Sequence, residues 1–111
     1  MHSLEIVKLI SQHEDVDMNI QSDDNGATPL HIAAQENCCD IVKFFLNDDH
    51  VNVNLASSEG LTPFYQSCCF RHLEVVRLFL EDDRIDFNKC ASKGQSPFSI
   101  AASYGHLEVI K

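Results

Sequence analysis

Three short segments, each led by a glycine and set at equal intervals, constrain this chain more than anything else in it. Gly26-Ala27-Thr28-Pro29-Leu30, Gly60-Leu61-Thr62-Pro63-Phe64 and Gly94-Gln95-Ser96-Pro97-Phe98 carry their glycines 34 residues apart. A hydroxyl residue followed by proline is a helix start. The hydroxyl accepts from an orphan backbone N–H, and proline lacks a donor that nothing at the first helical position needs. The glycine supplies a turn residue that reaches positive φ without a Cβ clash. A second run follows in phase: Asp40-Ile41-Val42-Lys43-Phe44-Phe45-Leu46 matches Glu74-Val75-Val76-Arg77-Leu78-Phe79-Leu80, and Glu108-Val109-Ile110-Lys111 begins it again. Leu4-Glu5-Ile6-Val7-Lys8-Leu9-Ile10 is a further copy upstream, offset by 35. A fixed period of this length means stacked supersecondary units rather than one central core.

The segment from Thr28 to Ala34 (TPLHIAA), the segment from Gly105 to Ile110 (GHLEVI) and the spacing resemble the ankyrin repeat, over the whole chain. The resemblance implies an all-α helix-turn-helix solenoid with short hairpin-like finger loops. Residues 1–111 then form a single domain, with full repeats at 23–56 and 57–90 between partial repeats at 1–22 and 91–111. Neither end carries a polar capping repeat, so the expectation is a slice of a longer array.

First helices are expected over 29–36, 63–70 and 97–104, broken before Asn37, Arg71 and Gly105. A left-handed residue belongs at each break. Glycine suits it and asparagine tolerates it, while arginine carries a penalty of about 1–2 kcal/mol. Ala33 and Ala34 are small enough to let another helix approach closely. Polar positions are few on the second helices: Glu5, Lys8 and Gln12 in one, Glu74, Arg77 and Glu81 in another. Such helices must be covered on several sides. The acidic pairs Glu14-Asp15, Asp48-Asp49 and Asp82-Asp83 come next, in place of the family's Gly-Ala pair, with one extra residue. Then 16–19, 51–54 and 85–88 alternate apolar and polar as short extended segments do. Stacked, the acidic pairs make either a ridge that steers a basic ligand, diluted by His13, His50 and Arg84, or a plain solvated edge.

Seventeen acidic against eight basic residues leave a net charge of −9. That surface repels phosphate backbones and anionic lipid, which excludes nucleic acid and membrane insertion as first expectations. It fits a protein partner with a basic surface, or simply keeps an array in solution. Five cysteines form an odd set without the spacing of a disulfide framework, which suits a reducing intracellular compartment, here taken as the cytoplasm. No stretch approaches a membrane span and no signal peptide opens the sequence. Open ends would expose Ile6, Leu9 and Ile10 at one side and Val109 and Ile110 at the other, and so favour end-to-end self-association.

Catalysis finds no foothold. Cys68 and His72 are four apart, a spacing compatible with a thiolate–imidazole pair. The break at Arg71 sets them on different helices, and Cys68 stands where other copies have Ala34 and Ala102. The adjacent pairs Cys38-Cys39 and Cys68-Cys69 are poor chelates, because consecutive helical residues diverge by about 100°. No metal, cofactor or catalytic residue is assigned. His31 lies three after the Thr28 cap, within reach of it. The resemblance implies that His31 links repeats by hydrogen bonds. Tyr65 and Ser99 replace it with different reach, for which a weaker tie is expected.

In the ankyrin family the partner-facing surface is concave, made by finger tips and the exposed end of the first helix. Carried over by phase, these positions are Asn25, Ala27, Gln35 and Glu36; then Glu59, Leu61, Cys69 and Phe70; then Lys93, Gln95, Ser103 and Tyr104. Down the stack the surface turns from polar and acidic to aromatic. Phe70 either anchors a partner with Tyr104 or folds over the break at Arg71. The expected function is a non-catalytic protein-interaction module. The alternative is a structural spacer of a larger protein whose activity lies elsewhere.

Overall fold

The computed structural model describes residues 4–13, 16–89, 91 and 93–103, with backbone alone at residues 101 and 103. Within them the chain forms α1 (Leu4–Ser11), α2 (Pro29–Gln35), α3 (Cys39–Leu46), α4 (Pro63–Cys69), α5 (Leu73–Leu80) and α6 (Pro97–Ser103), and no strand. Thr28 and Thr62 are extended N-caps whose hydroxyls accept from the N–H groups of His31 and Tyr65. Each is followed by its proline. Glu36 and Phe70 are C-caps rather than last helical residues, so α2 and α4 end one residue before the expected bounds. Asn37 and Arg71 both sit at φ 60°, as the breaks required. Behind them Cys38 donates to the Ala33 carbonyl and His72 to that of Ser67, which satisfies carbonyls left open by the helix end. The Gly105 break, the helix expected from Glu108 to Lys111, the Glu14-Asp15 turn and Cys90 lie outside the described residues.

First helices stack in one row, α2 on α4 on α6, and second helices in another, α1 on α3 on α5. Ala33, Ala34, Ser67 and Cys68 are all buried between neighbours, where small side chains let the helix axes close in. Val42, Phe45, Val75, Val76 and Phe79 fill the layer between the rows. Phe64 meets Phe79 and Phe87 edge to face, at 6.1 and 5.2 Å between centroids. Full burial of each such side chain contributes roughly 1.5–3 kcal/mol.

The segments 16–19, 51–54 and 85–88 are not extended. Val51, Val53 and Ile85 do point inward and are buried, whereas Val16 of the first segment is exposed. However, the side chains of Asp17, Asn52 and Asp86 accept the N–H two residues on, which curls each segment into a turn. From these turns Asn19 and Asn54 reach into the next repeat. Asn19 donates to the His50 carbonyl and accepts from the Asn52 N–H; Asn54 does the same with Arg84 and Asp86, all at 2.7–2.8 Å. Arg84 does not merely dilute an acidic ridge. Its guanidinium pairs with Asp82 at 2.9 Å and bonds the Leu46 carbonyl at the end of α3. That arginine holds the Asp82 carboxyl below its usual range and ties two repeats together.

Each finger is hairpin-like through a single rung, Ser22 N–H to Ala27, Ser57 to Leu61 and Ala91 to Gln95. Gly26 and Gly94 have φ of +72° and +84°. A Cβ on Gly26 would lie 2.9 Å from the backbone nitrogen of Ser58, in the next finger, whereas one on Gly94 meets nothing within 4 Å. Gly94→Ala should therefore lose only the left-handed preference, about 1–2 kcal/mol. Gly26→Ala should lose more and lower the melting temperature further, as differential scanning calorimetry of the two variants will register.

Candidate functional site

Finger tips and the ends of first helices make a continuous face with two adjoining cavities, one repeat apart. The first, ≈ 210 Å³, opens between Asn25 and Ala27 of one finger and Glu59 and Leu61 of the next, with Cys69 and Phe70 behind. The second, ≈ 350 Å³, lies between Glu59 and Leu61 and the finger residues Lys93 and Gln95, again against Cys69. Leu61, Cys69 and Glu59 border both. The structure thus gathers eight of the positions assigned by phase around two hollows: Asn25, Ala27, Glu59, Leu61, Cys69, Phe70, Lys93 and Gln95. Phe70 is 47% exposed, its ring edge on to His72 at 6.1 Å, so it does not close over the break.

Other assigned positions do something else. Gln35 is taken up by the stack: its side-chain oxygen accepts from Gln66 at 2.6 Å, and its carbonyl faces His72 Nε2 at 2.7 Å. Glu36 is exposed as the cap of α2. The side chain of Ser103 and the whole of Tyr104 lie outside the described residues. Tyr65, Gln66 and Ile100 line the cavities without having been assigned to the partner-facing surface. Gln66 and Ile100 share one phase, and that helix position was legible as cavity floor only once α2, α4 and α6 stood in a row.

Leu61 is held from behind. The His31 ring is fully buried, with Nδ1 3.0 Å from the Thr28 N–H and 2.8 Å from its hydroxyl. Nδ1 therefore accepts, the proton sits on Nε2, and Nε2 donates to the Leu61 carbonyl at 2.7 Å. Burial pushes the imidazole below its ordinary value despite that carbonyl. One repeat on, the Tyr65 hydroxyl lies 3.5 Å from the Gln95 side chain, a longer contact than the 2.7 Å of His31 to the Leu61 carbonyl. Ser99 bonds Ser96 instead. Burial also lifts the Cys68 thiol to about 12 and the Cys69 thiol to about 11, so neither is a thiolate at neutral pH. The His72 ring is turned to the Gln35 carbonyl at 2.7 Å.

The family profile described as ankyrin repeats in three copies matches residues 1–56 and 49–111. The chain belongs to the ankyrin repeat family. Ankyrin repeats are generally protein-interaction modules and are typically non-catalytic. Over 61 residues the chain is 38% identical to a BTB/POZ domain and ankyrin repeat-containing protein, NPR5, of Oryza sativa subsp. japonica. It is 39% identical over 61 residues to a like-named protein, NBCL, of Lotus japonicus. The match takes in 55% of this chain and only 12% of each relative. No described helix is long and apolar enough to cross a membrane.

Because His31 is held neutral in the ankyrin stack, its share of stability depends on pH in a fixed sense. The unfolded imidazole titrates near 6.5 and the folded one lower, so the unfolded chain binds more protons between the two. The contribution is complete above about 6.5 and is lost as pH falls from there toward the folded value. Melting curves between pH 7.5 and 5 should show this loss in the parent chain and a smaller one in His31→Gln. His31→Ala at pH 7.5 should cost about 1–3 kcal/mol through the unpaired Thr28 and Leu61 groups.

Proposed function

We infer that the finger–helix face of this ankyrin array is a docking surface for another protein, and that the chain acts by holding that partner rather than by catalysis. The pair of adjoining cavities carries this reading. Their borders combine apolar Leu61, Cys69 and half-exposed Phe70 with polar finger tips. Large side chains seated in desolvated hollows supply most of the energy of protein interfaces. A net charge of −9 favours a partner with a basic surface and disfavours nucleic acid. Cysteines kept as thiols are consistent with an intracellular setting.

The relatives' names describe larger proteins with a BTB/POZ domain. They support a second reading, in which the array is a spacer inside a longer protein. Leu61→Asp and Phe70→Ala separate the two. If the face binds, each variant, folded by circular dichroism, weakens partner capture at least tenfold, while Lys43→Ala on the far side leaves it unchanged. A full-length protein that functions normally with both substitutions would support the spacer.

End-to-end association is a further part of the proposal. Ile6, Leu9 and Ile10 are 56, 68 and 46% exposed, whereas Ile41 and Phe45, which match Ile6 and Ile10, are buried by their own first helix. Light scattering should show mass rising with concentration, and Ile6→Asp with Leu9→Asp should return the chain to a monomer. Constant monomer mass in the parent chain would remove this contact.

A further inference from the structure

A contact that the stack buries between its two rows is left open toward both ends of the chain. Phe64 of α4 meets Phe79 of α5, and both are buried. One repeat earlier the same positions are Leu30 and Phe45, again buried. Carried one repeat on, the first-helix half is Phe98 of α6; carried one repeat further back, the second-helix half is Ile10 of α1. Phe98 is 42% exposed and Ile10 is 46% exposed. Each is the half that the other would complete. Ile32 of α2 belongs with them. In its phase, Gln66 bonds Gln35 of the preceding first helix and Ile100 is only 6% exposed, whereas Ile32, on the first helix of the row, is 54% exposed.

These open positions answer one another when a second copy continues the stack. With α6 of one copy set before α2 of the next, α1 of the next lies beside α6 as α5 lies beside α4. Ile10 then covers Phe98, and Ile32 meets the far side of α6. The runs 4–8 (LEIVK) and 107–111 (LEVIK) differ only in the order of one isoleucine and one valine, so α1 carries the residues suited to a place beside α6. The charges agree as well. Within the chain, Ser58 N–H donates to the Asn25 carbonyl of the preceding finger at 2.9 Å. The equivalent pair across the joint is Asp24 of the second copy and Lys93 of the first, both exposed, with exposed Asp23 alongside. An acidic finger tip thus rests on a basic one, which partly offsets the repulsion between two copies of charge −9. Pairing two α1–α2 ends back to back would leave Phe98 and Lys93 unused.

We propose that copies of this chain join head to tail, with α6 of one copy seated against α1 and α2 of the next, so that the solenoid continues across the joint. This rests on the end-to-end association inferred above and gives it a direction and a register. Such a heterologous contact leaves a free surface at each end, so assemblies grow with concentration instead of stopping at a dimer. Sedimentation velocity on the whole chain and its variants tests it. Ile10→Asp and Phe98→Asp, each folded by circular dichroism, should each weaken self-association at least tenfold. Mixed in equal amounts, they should form a species of two chains and nothing larger, because the intact α6 end of the first fits the intact α1–α2 end of the second. Lys93→Glu lies on an exposed finger tip where the fold is not at risk. It should weaken association at least threefold, and adding Asp23→Lys and Asp24→Lys to the same chain should restore it. Association that survives Phe98→Asp but is lost on Ile10→Asp overturns the head-to-tail joint and retains contact through two α1–α2 ends. A mixture that fails to pair also overturns the joint, and indifference to Lys93→Glu overturns the finger-to-finger register. A parent chain that stays monomeric at every concentration removes both this joint and the end-to-end association beneath it.

Discussion

Polar side chains that cross from one repeat to the next fix the register on which everything else in this stack depends. Apolar burial between the helix rows supplies most of the driving force, but it is non-directional and would tolerate sliding. The bonds from Asn19 to residues 50 and 52, from Asn54 to 84 and 86, and from His31 to Leu61 admit one alignment only. Each ends on backbone, so the crossing does not depend on which side chain the neighbour carries there. Leu61 shows the consequence: its carbonyl is pinned, and its side chain is left to shape two hollows.

The helices were legible because their signals are local. Thr-Pro after a glycine, a left-handed residue at 37 and 71, and paired small residues each act within a few positions, and the structure has them all. What escaped was carried by partners outside the local pattern. Asn19 and Asn54 looked like the polar half of an alternation, and Arg84 like a stray cation, because the carbonyls they bind lie some 30 residues away. Gln35 was read as surface for the same reason. The finger positions lie together around the hollows because the period transfers a location; it does not transfer chemistry, and so the floor position shared by Gln66 and Ile100 went unmarked.

Charge is sorted along the same lines. Inside, ionisation is suppressed: His31 is neutral and the Cys68 and Cys69 thiols hold their protons. Arg84 and Asp82 are only partly covered and neutralise each other. The acidic surplus is therefore left on fingers, caps, turns and outer helix positions, where water and salt screen it without taxing the core. A reaction centre would need the reverse arrangement, with a group made reactive by burial beside a charge. Burial here keeps the Cys68 and Cys69 thiols protonated.

The second hollow shows how a stack can trade a close inter-repeat tie for open space at one position. Where His31 meets a backbone carbonyl at 2.7 Å, the adjoining finger is fixed and the hollow is the smaller. Where Tyr65 stands in its phase, the hydroxyl reaches past the backbone to the Gln95 side chain at 3.5 Å, the outer limit of a hydrogen bond. There the hollow is larger, and Tyr65 itself forms part of its wall. The residue that departs from the repeat pattern is thus both the weaker fastener and a lining group. In this array the departure from the repeat pattern at Tyr65 is where the stacking contact lengthens and the hollow between fingers widens.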